Sequence, residues 1–376
     1  MKHQMSIMLS LLLFTFLAKL SIESPVEECP PSDIISPCEC FVWSVEPGTR
    51  NWEIRCSAST ATIREVFRNV TPNGIYSTSY DIFKIDGVSN VTLTKDLLGP
   101  FQFRIIKVVN SNISAIEEDA FESNYDFTEQ LEFMNNNFDV SLRKGEKLFQ
   151  VIKKFKKLKT LFLMNSNLQE IPKNAFTSNE TLDKLSILRF NRNLIEKIGD
   201  FAFFKLESVT WLDLAENRLT QISENAFTFE KSSEKPIQID LDANLLTAKS
   251  FHHSSFRNVR RPTVLFLRSN NITYLDESTF LPLLQSGIFR LFPSDNPLIC
   301  NCENRWILGH PQIKEQLSGM NCEDGESIWV KKLSNFKICD IQKKDVIHAI
   351  KNFIEILFNM GIVNDFQRQR IEHILN

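Results

Sequence analysis

Ile198-Gly-Asp-Phe-Ala-Phe203 and Ile222-Ser-Glu-Asn-Ala-Phe227 are two copies of one phrase, Ile-x-x-x-Ala-Phe. It recurs as Ile116…Ala120-Phe121 and Ile171…Ala175-Phe176, and loosens to Leu275…Thr279-Phe280. A second phrase stands ahead of the copies: Leu188-x-Phe190-x-x-Asn193, Leu212-x-Leu214-x-x-Asn217 and Leu265-x-Leu267-x-x-Asn270. Self-similarity at a period in the twenties marks a solenoid, in which each repeat is one coil that cannot bury its own apolar side. The two strand positions and the later Ile and Phe point inward, and a neighbouring coil must cover them. A solenoid offers surface more than pocket, so the repeat points to binding.

Taking the second apolar residue of each strand as a register mark gives Ile85, Val108, Phe133, Leu163, Phe190, Leu214, Leu241, Leu267 and a degenerate last turn at Pro293. The gaps of 23, 25, 30, 27, 24, 27, 26 and 26 residues suit one strand plus one convex segment. These repeats resemble those of extracellular leucine-rich-repeat proteins of animals. The resemblance implies an α/β fold: a curved horseshoe with a parallel concave sheet, an irregular or short-helical convex side and disulfide-bonded end caps. The Asn of each turn (Asn136, Asn193, Asn217, Asn244, Asn270) is placed to bond backbone groups between coils. Ser111 and Ser166 take that place in two turns, and Val88 in the first. Phe supplies 31 of the aromatic residues, against 5 Trp and 4 Tyr, which suits Phe side chains stacked inside the convex side.

The ends divide the chain. Residues 1–22 read as a signal peptide: a Lys near the start, then an apolar run from Ile7 to Ala18 that is too short to span a bilayer. A buried N-terminal helix is the competing reading. Cleavage is expected between Ala18 and Ser24. Residues 23–75 form an N-terminal cysteine cap, 76–293 about eight to nine repeats, 294–340 a C-terminal cysteine cap and 341–376 an amphipathic helical tail. No later segment reaches eighteen apolar residues, and the end of the chain lacks a lipid-anchor signal, so the expectation is a secreted protein with no membrane anchor.

Cys29, Cys38, Cys40 and Cys56 stand before the repeats, and Cys300, Cys302, Cys322 and Cys339 after them. Disulfides hold the caps that shield a solenoid's end coils in an oxidising compartment, and zinc is disfavoured there. Each set of four allows three connectivities. The closely spaced cysteines of each cap, Cys38 with Cys40 and Cys300 with Cys302, are expected to have different partners. The rear set, Asn296-Pro297…Cys300-x-Cys302-x-x-x-Trp306, then Cys322 and Cys339, resembles the C-terminal flanking cap of extracellular leucine-rich-repeat proteins. That resemblance implies the pairs Cys300–Cys322 and Cys302–Cys339, and by similar logic Cys29–Cys40 and Cys38–Cys56. The front set, Cys29-Pro30…Ile35-x-Pro37-Cys38-x-Cys40…Ile54-x-Cys56-Ser57, is similar to that of a group of secreted arthropod leucine-rich-repeat proteins, which includes the non-catalytic subunit of oplophorus-luciferin 2-monooxygenase. The likeness implies support of a partner chain rather than oxygen chemistry. A basic turn near Lys153 and the tail beyond Cys339 depart from the common pattern.

A net charge of −3 with 24% charged residues argues against nucleic acid as the main partner. The six His are scattered; His252-His253 is the one adjacent pair. There is no nucleophile elbow, no phosphate-cradling glycine loop and no His-x-x-x-His pair, so no catalysis, metal or cofactor is expected. Sequons at Asn69, Asn90, Asn112, Asn179 and Asn271 are open to N-glycosylation in a secreted chain. Asn179, in a polar convex loop, is the favoured acceptor.

Parallel strands place the residues between core positions on the concave face in columns. The central column reads Lys107, Glu132, Phe162, Arg189, Asp213, Asp240, Phe266; the preceding one Ile105, Gln130, Thr160, Ile187, Trp211, Gln238, Val264; the following one Val109, Met134, Met164, Asn191, Ala215, Asp242, Arg268. Met134, Phe162, Met164, Ile187 and Trp211 gather as an apolar cluster beside Asp213, Asp240 and Asp242, with Arg189 close by. An apolar patch rimmed by charge is the expected form of a protein-binding site, with a glycan as the alternative ligand. The competing reading is that the apolar residues stack to stabilise the sheet. Three carboxylates on flat strands lack the wrapping loop that calcium favours. The basic run Arg143-Lys144…Lys147 and Lys153-Lys154-Phe155-Lys156-Lys157-Leu158-Lys159 reads as an amphipathic convex helix or as a contact for acidic glycans. The stripe Val346, Ile347, Ile350, Phe353, Ile354, Leu357 reads as a helix packed on the rear cap or kept for docking.

Overall fold

The structure, a computed structural model, describes residues 29–44, 50–70, 78–177, 182–256, 258–332, 350–358 and 362–375. The leader, Asn179, Cys339 and the start of the tail stripe (Val346, Ile347) lie outside the described residues.

One sheet of eleven strands runs through the molecule in chain order: Cys38–Trp43, Asn51–Cys56, Ser79–Asp86, Gln102–Val109, Gln130–Met134, Thr160–Met164, Ile187–Arg189, Trp211–Asp213, Ile237–Asp240, Thr263–Phe266 and Phe289–Phe292. The first two pair antiparallel and every later pair is parallel. The front cap is therefore continuous with the repeats. Its hairpin sets Cys38 opposite Cys56, which are bonded, and Cys29 closes onto Cys40. Helix Thr60–Val70 follows; the Ser59 hydroxyl accepts the Thr62 N–H at 3.2 Å, and Ile63, Val66, Phe67 and Val70 form its buried stripe.

Three devices join coil to coil. The first is the asparagine ladder. Asn217 Oδ1 accepts the Ile195 N–H at 3.1 Å, while its Nδ2 donates to Phe190 O at 3.0 Å and Leu214 O at 2.9 Å. Asn136, Asn193, Asn244 and Asn270 repeat the pattern, and so does Asn296, which makes the turn at Pro293 a full member of the series. Ser111 and Ser166 supply a hydroxyl acceptor, for Val88 N and Asn136 N, and turn their donor to their own strand.

The second device is the bend that delivers each ladder residue. The residue immediately before it has positive φ in eight turns: Asn110, Asn135, Asn165, Arg192, Glu216, Ala243, Ser269 and Asp295. Left-handed backbone costs an ordinary side chain about 1–2 kcal/mol, and ladder bonds on both sides hold it there.

The third is a file of phenylalanines on the convex side. Rings of Phe203 and Phe227 lie 5.9 Å apart and nearly parallel, and Phe227 and Phe256 lie 5.4 Å apart. Phe256 falls outside the Ile-x-x-x-Ala-Phe frame because it stands further along its coil from the strand, yet it carries the stack onward.

The rear cap buries Asn304, whose Oδ1 accepts the Leu275 N–H and whose Nδ2 donates to Ile299 O at 2.7 Å. Cys300 is bonded to Cys322, and Cys302 is also in a disulfide. In the tail, helix 350–358 meets helix Asp365–Leu375 through Arg368, 3.6 Å from Glu355 and 5.0 Å over the Phe358 ring. Ile354 of the stripe is buried, whereas Phe353 stands exposed.

Candidate functional site: the concave sheet

Hydrogen-bonded register fixes which side chains stand together. Phe162, Arg189, Asp213, Asp240, Phe266 and Phe292 are successive partners across the strands. Thr160, Ile187, Trp211, Gln238, Val264 and Arg290 form the neighbouring column. Because the period along a strand is two, Trp211 and Asp213 share the open face while Leu212 between them is fully buried.

At the centre Arg189 is clamped between aromatic rings. Its guanidinium carbon lies 5.2 Å from the Phe162 centroid and 4.7 Å from that of Trp211. Such cation–π contacts are worth about 0.5–1 kcal/mol each where water reaches them. Trp211 is 38% exposed, whereas Met134, Phe162, Met164 and Ile187 are half-buried. The apolar cluster is thus a floor with one projecting indole.

Beside this clamp lie three carboxylates in different circumstances. Asp242 holds Arg268: its Oδ2 accepts the Arg268 Nε–H at 2.6 Å and its Oδ1 the Arg268 backbone N–H at 2.7 Å. Arg268 in turn covers the Phe266 ring, 5.1 Å from its centroid. Asp213 and Asp240 are cross-strand partners, and among the described residues neither is in an ion pair. Each accepts one backbone N–H, from Ala215 at 3.1 Å and from Asp242 at 3.0 Å. Burial is the main force on all three carboxyls and lifts them above the usual carboxylate range; the backbone hydrogen bonds and the nearby arginines oppose it. Among the described residues no cluster of metal-ligating side chains is assembled.

Two surfaces differ from the sequence expectation. Glu132 and Val109, read as concave and open, are buried: the Glu132 carboxylate is closed over by Lys107, 3.2 Å away, and by the Gln130 amide. Three lysines of the basic turn are matched by acids of the preceding coil. Lys154 bonds Glu118 and Asp119, each at 3.0 Å, Lys156 meets Asp126 at 3.1 Å and Lys159 meets Glu129 at 2.7 Å. Its helix, Glu146–Ile152, buries Leu148, Val151 and Ile152. No spacing rule could have found these pairs, since each links residues about one coil apart. The sequon residues Asn69, Asn90, Asn112 and Asn271 are exposed.

The register, the asparagine ladder and the stacked convex rings together decide the architecture. The fold is a leucine-rich-repeat solenoid. A leucine-rich-repeat family model matches residues 183–235, the coils that carry Ile187, Arg189, Trp211 and Asp213. Among curated proteins, the chain is 23% identical over 329 residues to the oplophorus-luciferin 2-monooxygenase non-catalytic subunit of Oplophorus gracilirostris, covering 82% of this chain and 87% of that protein. It is 28% identical to keratocan of Gallus gallus over 152 residues, 38% of this chain and 36% of that one. A solved chain from an octameric complex of Latrophilin 3, Unc5D and FLRT2 matches with a TM-score of 0.48 and 18% identity, covering 81% of this chain and 98% of that chain. No helix among the described residues of the leucine-rich-repeat chain is long and apolar enough to cross a membrane.

Proposed function

We propose that the chain is a secreted, non-enzymatic binding protein that recognises a protein partner, with a glycan as the second ligand class, through its concave sheet. One observation carries this reading: the Phe162–Arg189–Trp211 clamp on an open sheet face, with an indole projecting from a half-buried apolar floor. Trp and Arg at the centre of an apolar patch are the residue types that tend to dominate interface energy. Disulfide-bonded caps and the apolar leader support secretion.

A second reading is favoured by a specific likeness. The relative that spans most of the chain is a non-catalytic subunit, so this chain is proposed alternatively as an accessory subunit of a secreted enzyme, with the tail helices as a docking element. Affinity capture from the native source with the glycosylated protein, read by mass spectrometry, separates the two. A partner retained by the wild type and lost with Trp211→Asp supports the concave face. A stoichiometric enzyme chain retained by Trp211→Asp but lost on truncation before residue 341 supports the accessory subunit. Equal capture by all three proteins refutes both.

A further inference from the structure

On the concave sheet two arginines are seated on aromatic rings, with a pair of carboxylates on the strands between them. Arg189 sits on Phe162 and Trp211 at one side. Arg268 sits on Phe266 and is bonded to Asp242 at the other. Between them the carboxylates of Asp213 and Asp240 stand on adjacent strands, bordered by Trp211 two residues along the strand and by Phe266 across the next one. Each has one oxygen on a backbone N–H and, among the described residues, no salt bridge, while Arg189 and Arg268 act on them only through space from either side. Glu216, the next acid on the rim, is already paired with Arg192 at 2.9 Å.

Resting on the concave-face reading, we infer that the partner places a lysine or arginine side chain on Asp213 and Asp240, between Trp211 and Phe266. Charge complementarity selects that occupant. Two half-buried carboxylates on adjacent strands, with no salt bridge among the described residues, repel each other, and a cation delivered by the partner offsets that repulsion as it is desolvated. The projecting Trp211 indole offers apolar surface to the alkyl stem, whereas the Phe266 ring is already covered by Arg268 and stacked on Phe292. A sulfated or otherwise acidic glycan meets charge of its own sign here. A metal ion is disfavoured, because the third carboxylate, Asp242, is committed to Arg268.

The test uses a phage-displayed library of random peptides panned on the full secreted protein, with three variants beside it: Asp213→Asn with Asp240→Asn, Trp211→Asp, and Lys144→Ala as a remote control. The asparagines are isosteric and keep the oxygen that accepts each backbone N–H, so circular dichroism should be unchanged. The expected result is a clone family sharing a lysine or arginine, with binding that weakens as NaCl rises and falls about tenfold or more on the double asparagine variant. The same clones should lose binding to Trp211→Asp and keep it on Lys144→Ala. Clones without a shared basic residue, lost on Trp211→Asp but kept by the double asparagine variant, overturn this inference and leave the concave reading standing. Clones indifferent to every concave change overturn both. No enrichment over the double asparagine variant also overturns the inference.

Discussion

Replacing Asn217 tests the ladder that holds the binding face in register. Its Oδ1 accepts the Ile195 N–H at 3.1 Å, and its Nδ2 donates to Phe190 O, Leu214 O and, at 3.2 Å, Ala215 O. Ile195 and Leu214 are fully buried, so water cannot replace the lost partners. In Asn217→Ala the orphaned Ile195 N–H costs about 1–3 kcal/mol, and two buried carbonyls each lose a bond worth about 1 kcal/mol. The expected loss is therefore roughly 3–5 kcal/mol, a large share of the ~5–15 kcal/mol that domains possess. Asn217→Asp is the sharper probe. It keeps the acceptor for Ile195 but sets a carboxylate oxygen against two carbonyls, so at neutral pH it should be at least as unstable as the alanine protein. Protonation restores a donor, so the aspartate protein should regain stability relative to alanine as pH falls through its carboxyl pKa. Urea unfolding followed by tryptophan emission and far-ultraviolet circular dichroism, with unchanged slope, gives these differences. An aspartate protein as stable as wild type at pH 7 would sink the donor assignment, and an alanine loss under about 1 kcal/mol would remove the ladder from the account.

Three other predictions address the coil geometry and the acidic pair. Ala243 holds φ 52°, so Ala243→Gly should be neutral or stabilising by up to about 1 kcal/mol in the same urea assay, against the usual sign of such a change. Gly199 has the opposite requirement: an added Cβ would lie 2.3 Å from the Lys173 backbone nitrogen, so Gly199→Ala should cost about 1–3 kcal/mol as neighbouring coils are forced apart. For Asp240 the folded carboxyl is raised above 3.8, so the native state is favoured while the group is protonated, and that advantage fades as pH rises through the folded pKa. Asp240→Asn should then stabilise the protein at pH 7 and leave it unchanged near pH 3; a thermal midpoint that drops at pH 7 would contradict the assignment.

Much was legible in the chain because a solenoid repeats its local chemistry. The Leu-x-Leu-x-x-Asn strands and the Ile-x-x-x-Ala-Phe segments mark inward positions one coil at a time, and period two then orders the open columns around Arg189 and Asp213. The positive-φ turn before each ladder residue was less visible, since Arg192, Glu216 and Ala243 are residue types that do not announce it. It is imposed by the bonds that the following Asn makes to the coil before it.

By itself the sequence determined the solenoid, its inward faces and the membership of the columns, because these depend on spacing within one repeat. Only the tertiary structure decided which charges remain available. Lys154 is matched by Glu118 and Asp119, and Glu132 is closed over by Lys107, whereas Asp213 and Asp240 stand together with no salt bridge among the described residues. Those outcomes depend on how the coils stack, and Coulomb attraction acts through the few ångströms between neighbouring coils rather than along the chain.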